Sequence, residues 1–292
     1  MRLHGNETLH SGEQMLKDIT LGQYYQEDSV IHRLDPRVKL VGTVLFMISL
    51  FMFNNFIGYG LAALFLFSAI KMSKVPFKFM VRGMRAIFLL LLITVFYNLF
   101  LTKGDILWQW GFLKLTKQGI EVAVYMMIRL TLLIIGSSLM TLTTTPNQLT
   151  DGIESLLSPL KIFKVPVHEV AMMMSIALRF IPILMEETDK IMKAQIARGA
   201  QFESKNLFKK VKALVPLLVP LIISAFRRAN DLALAMEARC YRGGEGRTKM
   251  KPLKYRGRDA VAYVVMILYL VALIAIGIFT EGSLLKILGL VN

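Results

Sequence analysis

The sequence predicts an all-α polytopic membrane protein with about five transmembrane helices plus long cytoplasmic helices. Three observations carry this. The 292-residue chain is 55% apolar, with a mean hydropathy of +0.54, more than soluble globular chains usually show. Its apolar residues gather in runs near the length of a bilayer crossing. Its 35 Lys and Arg exceed its 20 Asp and Glu, and the excess stands between those runs rather than in one solvated domain, which points to a lipid bilayer and not to nucleic acid. One cysteine, Cys240, excludes an internal disulfide framework, and with four scattered histidines it makes no zinc cluster.

Residues 1–37 form a polar segment with Asp18, Glu27, Asp28 and Asp35 and no apolar stretch before a small-residue cleavage site. A cytoplasmic N-terminus is therefore expected. Residues 1–14 differ in character from the rest of the chain, and Met15 is an alternative start. Asp35-Pro36 precedes the first apolar run as a helix cap followed by a first-turn proline, with Arg37 within reach of Asp35 for a local ion pair.

Val38 to Phe53 and Phe56 to Ile70 are separated only by Asn54-Asn55 and read as a helical hairpin, each run near the lower limit of roughly 17 residues for a crossing. Ala86 to Leu101, Gly119 to Leu142 and Ala260 to Thr280 come next. Residues 38–142 thus hold four transmembrane helices, 143–258 a cytoplasmic helical region, and 259–292 the last transmembrane helix and the C-terminus, expected outside. The charges agree. Lys71, Lys74, Lys78, Arg82 and Arg85 stand between the second and third runs with no acid, so that loop is expected inside, whereas residues 102–118 carry a net charge of only +2 and are expected as an outside loop. Residues 142–258 hold 20 basic and 10 acidic side chains, a net +10 of the total +15.

The basic region has a helical pattern of its own. Leu149, Ile153, Leu156, Leu157 and Leu160 make one stripe of a short amphipathic helix that starts at Pro146 and ends near Pro159. A second helix, from about His168 to Arg198, is apolar at first and polar after Pro182. A third, from about Phe208 to Arg239, carries Pro216 and Pro220, where a bend is expected because each lacks a donor and crowds the preceding turn. At about 1.5 Å per residue, each long helix reaches on the order of 45 Å. Their apolar halves as extra spans are the rival reading. Arg179 interrupts the first, and Leu214 to Phe226 is short for a crossing.

Both long helices finish alike, in Ala197-Arg198-Gly199 and in Ala238-Arg239-Cys240, 41 residues apart. Arginine suits the negative end of the helix dipole, and Gly199 can take the left-handed cap conformation. Small neighbours also let a groove on another protein close around each guanidinium.

These ends belong to a longer pattern: Gly22-Gln23-Tyr24, Asp28-Ser29, HRLDPR (His32 to Arg37), TTTP (Thr143 to Pro146), LRFIP (Leu178 to Pro182), AQIARGA (Ala194 to Ala200) and AMEARCYRG (Ala235 to Gly243). In that order the chain resembles, over about residues 20–260, the EcfT family, the transmembrane coupling components of energy-coupling-factor transporters. The resemblance implies two ABC-type ATPase subunits docked on a pair of crossed cytoplasmic coupling helices, and a separate membrane substrate-binding subunit that captures a vitamin or related micronutrient. It implies that Ala197, Arg198 and Gly199 form the first coupling motif and Ala238, Arg239 and Cys240 the second, with cysteine where many relatives have glycine. ATP and Mg are then bound by the partner ATPases, and this chain binds no cofactor or metal.

What the chain lacks agrees with that division of labour. No G-x-x-x-x-G-K-[ST] occurs, and the glycine-rich piece Gly243 to Thr248 has no P-loop lysine and comes after a helix, so it reads as a turn. No paired aspartates, H-E-x-x-H or Ser/His pair lies at membrane depth. Arg129 stands isolated in the fourth run, as a packing or snorkelling residue rather than an ion pathway. Met172, Met173 and Met174 stand together; they read as core filling or as an adaptable contact for a substrate-binding subunit, since thioethers repack readily. The competing function is an independent transporter or channel acting as a homo-oligomer.

Overall fold

A computed structural model describes residues 24–53, 55–102, 105–110, 113–200, 207–244, 250 and 252–281. Residues 1–14 with the Met15 start, Gly22 and Gln23, Asn54, Glu245 to Thr248 and the C-terminal Asn292 lie outside the described residues. The fold is helical: α1 (Pro36–Met52), α2 (Phe56–Ser73), α3 (Phe77–Leu101), α4 (Lys117–Thr143), α5 (Pro146–Leu157), a 3-10 turn (Ser158–Phe163), α6 (Val167–Ala197), α7 (Leu207–Ala238) and α8 (Gly257–Glu281). The connection from α3 to α4, expected only as a loop, instead contains a hairpin of β1 (Ile106–Trp110) and β2 (Leu113–Thr116). Its strands pair antiparallel with Trp110 opposite Leu113. Thr116 then caps α4, its Oγ1 accepting from the Gly119 N–H at 3.1 Å.

The described chain divides into two compact units. The first holds the described residues 24–156 and 253–281. Its core is one cluster mainly from α1, α2, α4 and α8, joined by Met80 of α3 and centred on Phe46, Leu50, Tyr59, Leu66, Leu139 and Tyr269. Gly136 lets α4 approach closely, because a Cβ there would lie 2.8 Å from the Phe46 ring. Two polar contacts at depth tie its helices together: Ser49 Oγ lies 2.9 Å from the Tyr269 hydroxyl, and buried Arg129 donates from Nε to the Tyr59 hydroxyl at 2.9 Å. Outward faces stay apolar, as with Leu64, Phe67 and Leu268, the arrangement expected of helices solvated by lipid.

The start of α1 is held from several sides. Asp35 Oδ1 accepts from the Arg37 N–H at 2.9 Å as an N-cap, Pro36 occupies the first turn, and the Arg37 guanidinium grips the same carboxylate at 3.0 and 2.9 Å. Arg37 also stacks 3.8 Å from the Tyr255 ring centroid and donates to Ser155 Oγ on α5. Gly152 brings α5 against Pro36 and Leu40, so this short helix packs through small residues, while Leu156 and Leu157 stay exposed. Fully buried Asp259 accepts from the Asp35 N–H at 2.9 Å with one oxygen and from the Arg256 N–H at 2.7 Å with the other. It caps α8 and ties it to α1 across 224 residues.

By length and composition, four helices suffice to cross a bilayer: α2, α4, α6 and, in α8, Gly257–Phe279. α1 is slightly shorter at 17 residues, and within α3 the stretch Leu91–Phe100 forms a shorter apolar segment. α6 thus meets the span criterion despite Arg179; no such span is found in α7 among the described residues.

Candidate coupling site

The second unit contains α6 and α7. They run antiparallel, as three contacts along their length show. Gln195, near the end of α6, donates from Nε2 to the Pro216 carbonyl in the first half of α7 at 3.3 Å. Eight residues earlier on α6, Glu187 accepts from Arg228 Nη2 at 3.1 Å. Earlier still, Met172, Ile176 and Arg179 share a pocket with Met236, Arg239 and Arg242.

The prolines explain the first contact. Pro220 has no N–H, so the Pro216 carbonyl lacks the donor that an α-helix supplies four residues on. The Gln195 amide fills that vacancy, and α7 continues through both prolines. The Glu187–Arg228 pair is partly exposed and contributes no more than about 1 kcal/mol. Its use is as a register mark.

Both arginine motifs close their helices with the same backbone device. After α6, the Gly199 N–H donates to the Ile196 carbonyl at 2.9 Å and the Ala200 N–H to the Gln195 carbonyl at 3.0 Å, with Gly199 at φ +89°. After α7, the Cys240 N–H donates to the Glu237 carbonyl at 2.8 Å and the Tyr241 N–H to the Met236 carbonyl at 3.0 Å, with Cys240 at φ +55°. Each is a Schellman cap. Cysteine in the second cap therefore keeps the left-handed turn, at a steric cost of about 1 kcal/mol that glycine would not incur.

The turns leave Arg198 and Arg239 exposed, and neither guanidinium makes an ion pair among the described residues. Because the helices are antiparallel, the two ends stand apart: Arg239 lies level with Ile176, and from Ile176 to Ala197 α6 advances on the order of 30 Å at 1.5 Å per residue. The arrangement offers two separate cationic tips, each free to donate in parallel to a carboxylate or to carbonyls.

At the Arg239 end the pocket encloses ≈ 600 Å³ and is lined by Arg179, Arg239 and Arg242, with no carboxylate among the described lining residues. The chain turns back beyond it, and Gly244 passes so close to His168 that a Cβ would lie 2.4 Å from the ring. Sequence reasoning does not bring Arg179 and Arg242 to Arg239; the structure does. Met172 lines this pocket, whereas Met173 and Met174 are exposed, Met173 at 57%. Asp35, Pro36 and Arg37 lie in the first unit and hold α1.

The segment before α1 is ordered by His32. Its Nε2 donates to the Tyr25 carbonyl at 3.0 Å, which leaves Nδ1 to accept from the Ser29 hydroxyl at 2.7 Å. Burial holds the imidazole below its ordinary pKa, against the opposing pull of the Tyr25 carbonyl. Burial also works against the charged form of Asp35, but hydrogen bonds from Arg37 and its charge outweigh it and keep the carboxyl below the ordinary value.

Comparison with known proteins supplies the family. The family described as CbiQ, cobalt transport protein, matches residues 27–250. A Clostridium kluyveri protein called energy-coupling factor transporter transmembrane protein EcfT is 57% identical over 250 residues, covering 85% of this chain and 93% of that protein. Proteins of the same name from Ruminiclostridium cellulolyticum and Bacillus subtilis are 51% identical over 256 residues and 48% identical over 261. They cover 88% and 89% of this chain and 96% and 98% of their own lengths.

Proposed function

The chain belongs to the CbiQ/EcfT family of transmembrane components of energy-coupling-factor transporters, and from that premise we propose that it couples two ABC-type ATPase subunits to a membrane substrate-binding subunit in vitamin or micronutrient uptake. It is a multi-pass membrane protein. ATP and Mg belong to the partner ATPases, and this chain transmits their movement without catalysing a reaction.

One observation carries the reading: identical caps present two exposed arginines, unpaired among the described residues, at opposite ends of one antiparallel helix pair. A single partner would be served by one such tip. Two tips on the order of 30 Å apart suit two partners, each closing a groove around one Ala-Arg-X turn. When nucleotide draws the ATPases together, force applied at Arg198 and Arg239 acts on both helices, and their tie at Gln195 and Glu187 makes them respond as a pair. The exposed Met173 and Met174 on α6 offer a surface that repacks against a substrate-binding subunit. In this reading α6 and α7 lie on the cytoplasmic side with the N-terminus, and the C-terminus lies outside. The cytoplasmic placement of α6 is supported by Arg179 within its apolar half and by Glu186, Glu187, Asp189, Lys190 and Lys193 beyond it.

Replacing Arg198 or Arg239 with Ala is expected to lower vitamin uptake in cells on the order of 10-fold or more, the loss of one charge-assisted contact, with membrane insertion unchanged. Full uptake by both single variants and the double excludes the coupling role. A reporter at Gly244 should face inside and one at Asn292 outside. The purified chain pumping solute into vesicles unaided would establish the independent transporter instead.

A further inference from the structure

The first unit contains a cleft of ≈ 250 Å³ bounded by α1, α2, α4 and α8 that plays no part in the coupling ends. One end of it is cationic. Lys39 and Arg258 both line it there, with no carboxylate among the described lining residues. Lys39 donates from Nζ to the His32 carbonyl at 3.1 Å and to the Thr143 carbonyl at 2.8 Å, so one of its three N–H groups remains uncommitted. Arg258 is more open still. Its Nε is shut off from solvent and has no hydrogen-bond partner. A dry donor left unmade is unfavourable, which marks the place of an anionic acceptor.

Below this end the cleft is hydrocarbon. Lys39, Gly42 and Phe46 descend one wall on α1, and Arg258, Ala262 and Met266 another on α8. The hydroxyls that border it are spent on their own helices, Thr43 on the Lys39 carbonyl, Ser68 on that of Phe65 and Thr143 on that of Leu139. From Lys39 to Phe46 the wall runs on the order of 10 Å at 1.5 Å per residue. The cationic end coincides with the starts of α1 and α8 and the ends of α2 and α4, hence with the bilayer interface where phosphate headgroups lie. A charged mouth at headgroup level above an apolar slot matches one kind of molecule.

We propose that this cleft holds one anionic phospholipid of the surrounding membrane, its phosphate on Arg258 and Lys39 and one acyl chain lying along α1 and α8. The guanidinium fork and the lysine ammonium together match a phosphate, and the bilayer supplies the ligand at high local concentration.

The full chain, purified in neutral detergent, tests this by native mass spectrometry and by thermal unfolding with added lipid. The wild type should retain one phosphatidylglycerol per chain and melt at a higher temperature with phosphatidylglycerol than with phosphatidylcholine. Arg258→Gln should weaken that retention at least 10-fold and remove the lipid-specific shift. Ala262→Trp, which fills the slot and keeps both cations, should do the same, and it decides the matter if Arg258→Gln does not fold. Unchanged retention in the variants, an equal shift with phosphatidylcholine, or the same shift from inorganic phosphate alone overturns the assignment.

Discussion

The two units of the molecule bury their surfaces in opposite ways. In the unit of α1, α2, α4 and α8, aromatic and aliphatic side chains converge on one cluster, and Ser49, Arg129 and Asp259 find partners at depth. In the unit of α6 and α7, the buried apolar residues described are only Val167 and Ala171 on one helix and Leu217 on the other, while Val219, Ile222 and Phe226 stay exposed. The first unit builds a core of its own residues. The second holds its shape through a few polar contacts and keeps much of its apolar surface available. A protein that anchors in lipid and waits for partner subunits needs one unit of each kind.

The sharpest test of that contrast is side-chain truncation. Leu50→Ala in the buried cluster should cost about 2–4 kcal/mol, seen as a lower melting temperature in detergent. Ile222→Ala on exposed α7 should cost less than about 0.5 kcal/mol. Similar losses in both would erase the distinction. Next comes Asp259→Ala, which leaves the buried Asp35 N–H without its partner and uncaps α8, at about 1–3 kcal/mol. Asp259→Asn should recover part of the loss, because its carbonyl oxygen can still accept one of the two bonds.

Smaller effects separate the two arginine caps from each other. Gly199→Ala should destabilise the unit by about 1 kcal/mol, since φ +89° is hostile to any side chain. Cys240→Gly should stabilise it by about the same amount, because cysteine already sits strained at φ +55°. Thermal unfolding of the two variants should therefore move in opposite directions, and shifts of one sign would mean the caps differ.

The smallest effect is expected at His32. Its folded pKa lies below the ordinary 6.5, so the folded segment prefers neutral imidazole and binds fewer protons than the unfolded one. Its contribution is complete above about pH 6.5 and declines as pH falls through the folded value. Amide exchange of Tyr25 and its neighbours, corrected for intrinsic rate, should speed up below about pH 6.5 and be flat above it. His32→Asn should flatten the profile throughout.

Much of the fold is legible in the sequence because it is local. Apolar runs mark the positions of the long helices, Asp35-Pro36 announces the start of α1, and Gly199 announces a left-handed cap. The features that sequence reasoning misses depend on residues far apart in the chain. Nothing near Asp259 indicates that it receives the Asp35 N–H, and nothing near Gln195 indicates that it serves a carbonyl orphaned by Pro220. Arg179 joins Arg239 and Arg242 only once α6 and α7 lie antiparallel. The hairpin at Ile106–Thr116 is hidden differently: its strands are short, and its charges fit the loop reading. Arg179 also weighs against α6 as a span, though the unbroken helix is long and apolar enough to qualify.

The central claim is that each arginine tip holds one ATPase, and the number of ATPase copies retained per chain tests it most directly. On purification in mild detergent the wild type should carry two, Arg198→Glu and Arg239→Glu one each, and the double variant none. Two copies retained by the double variant would contradict the account.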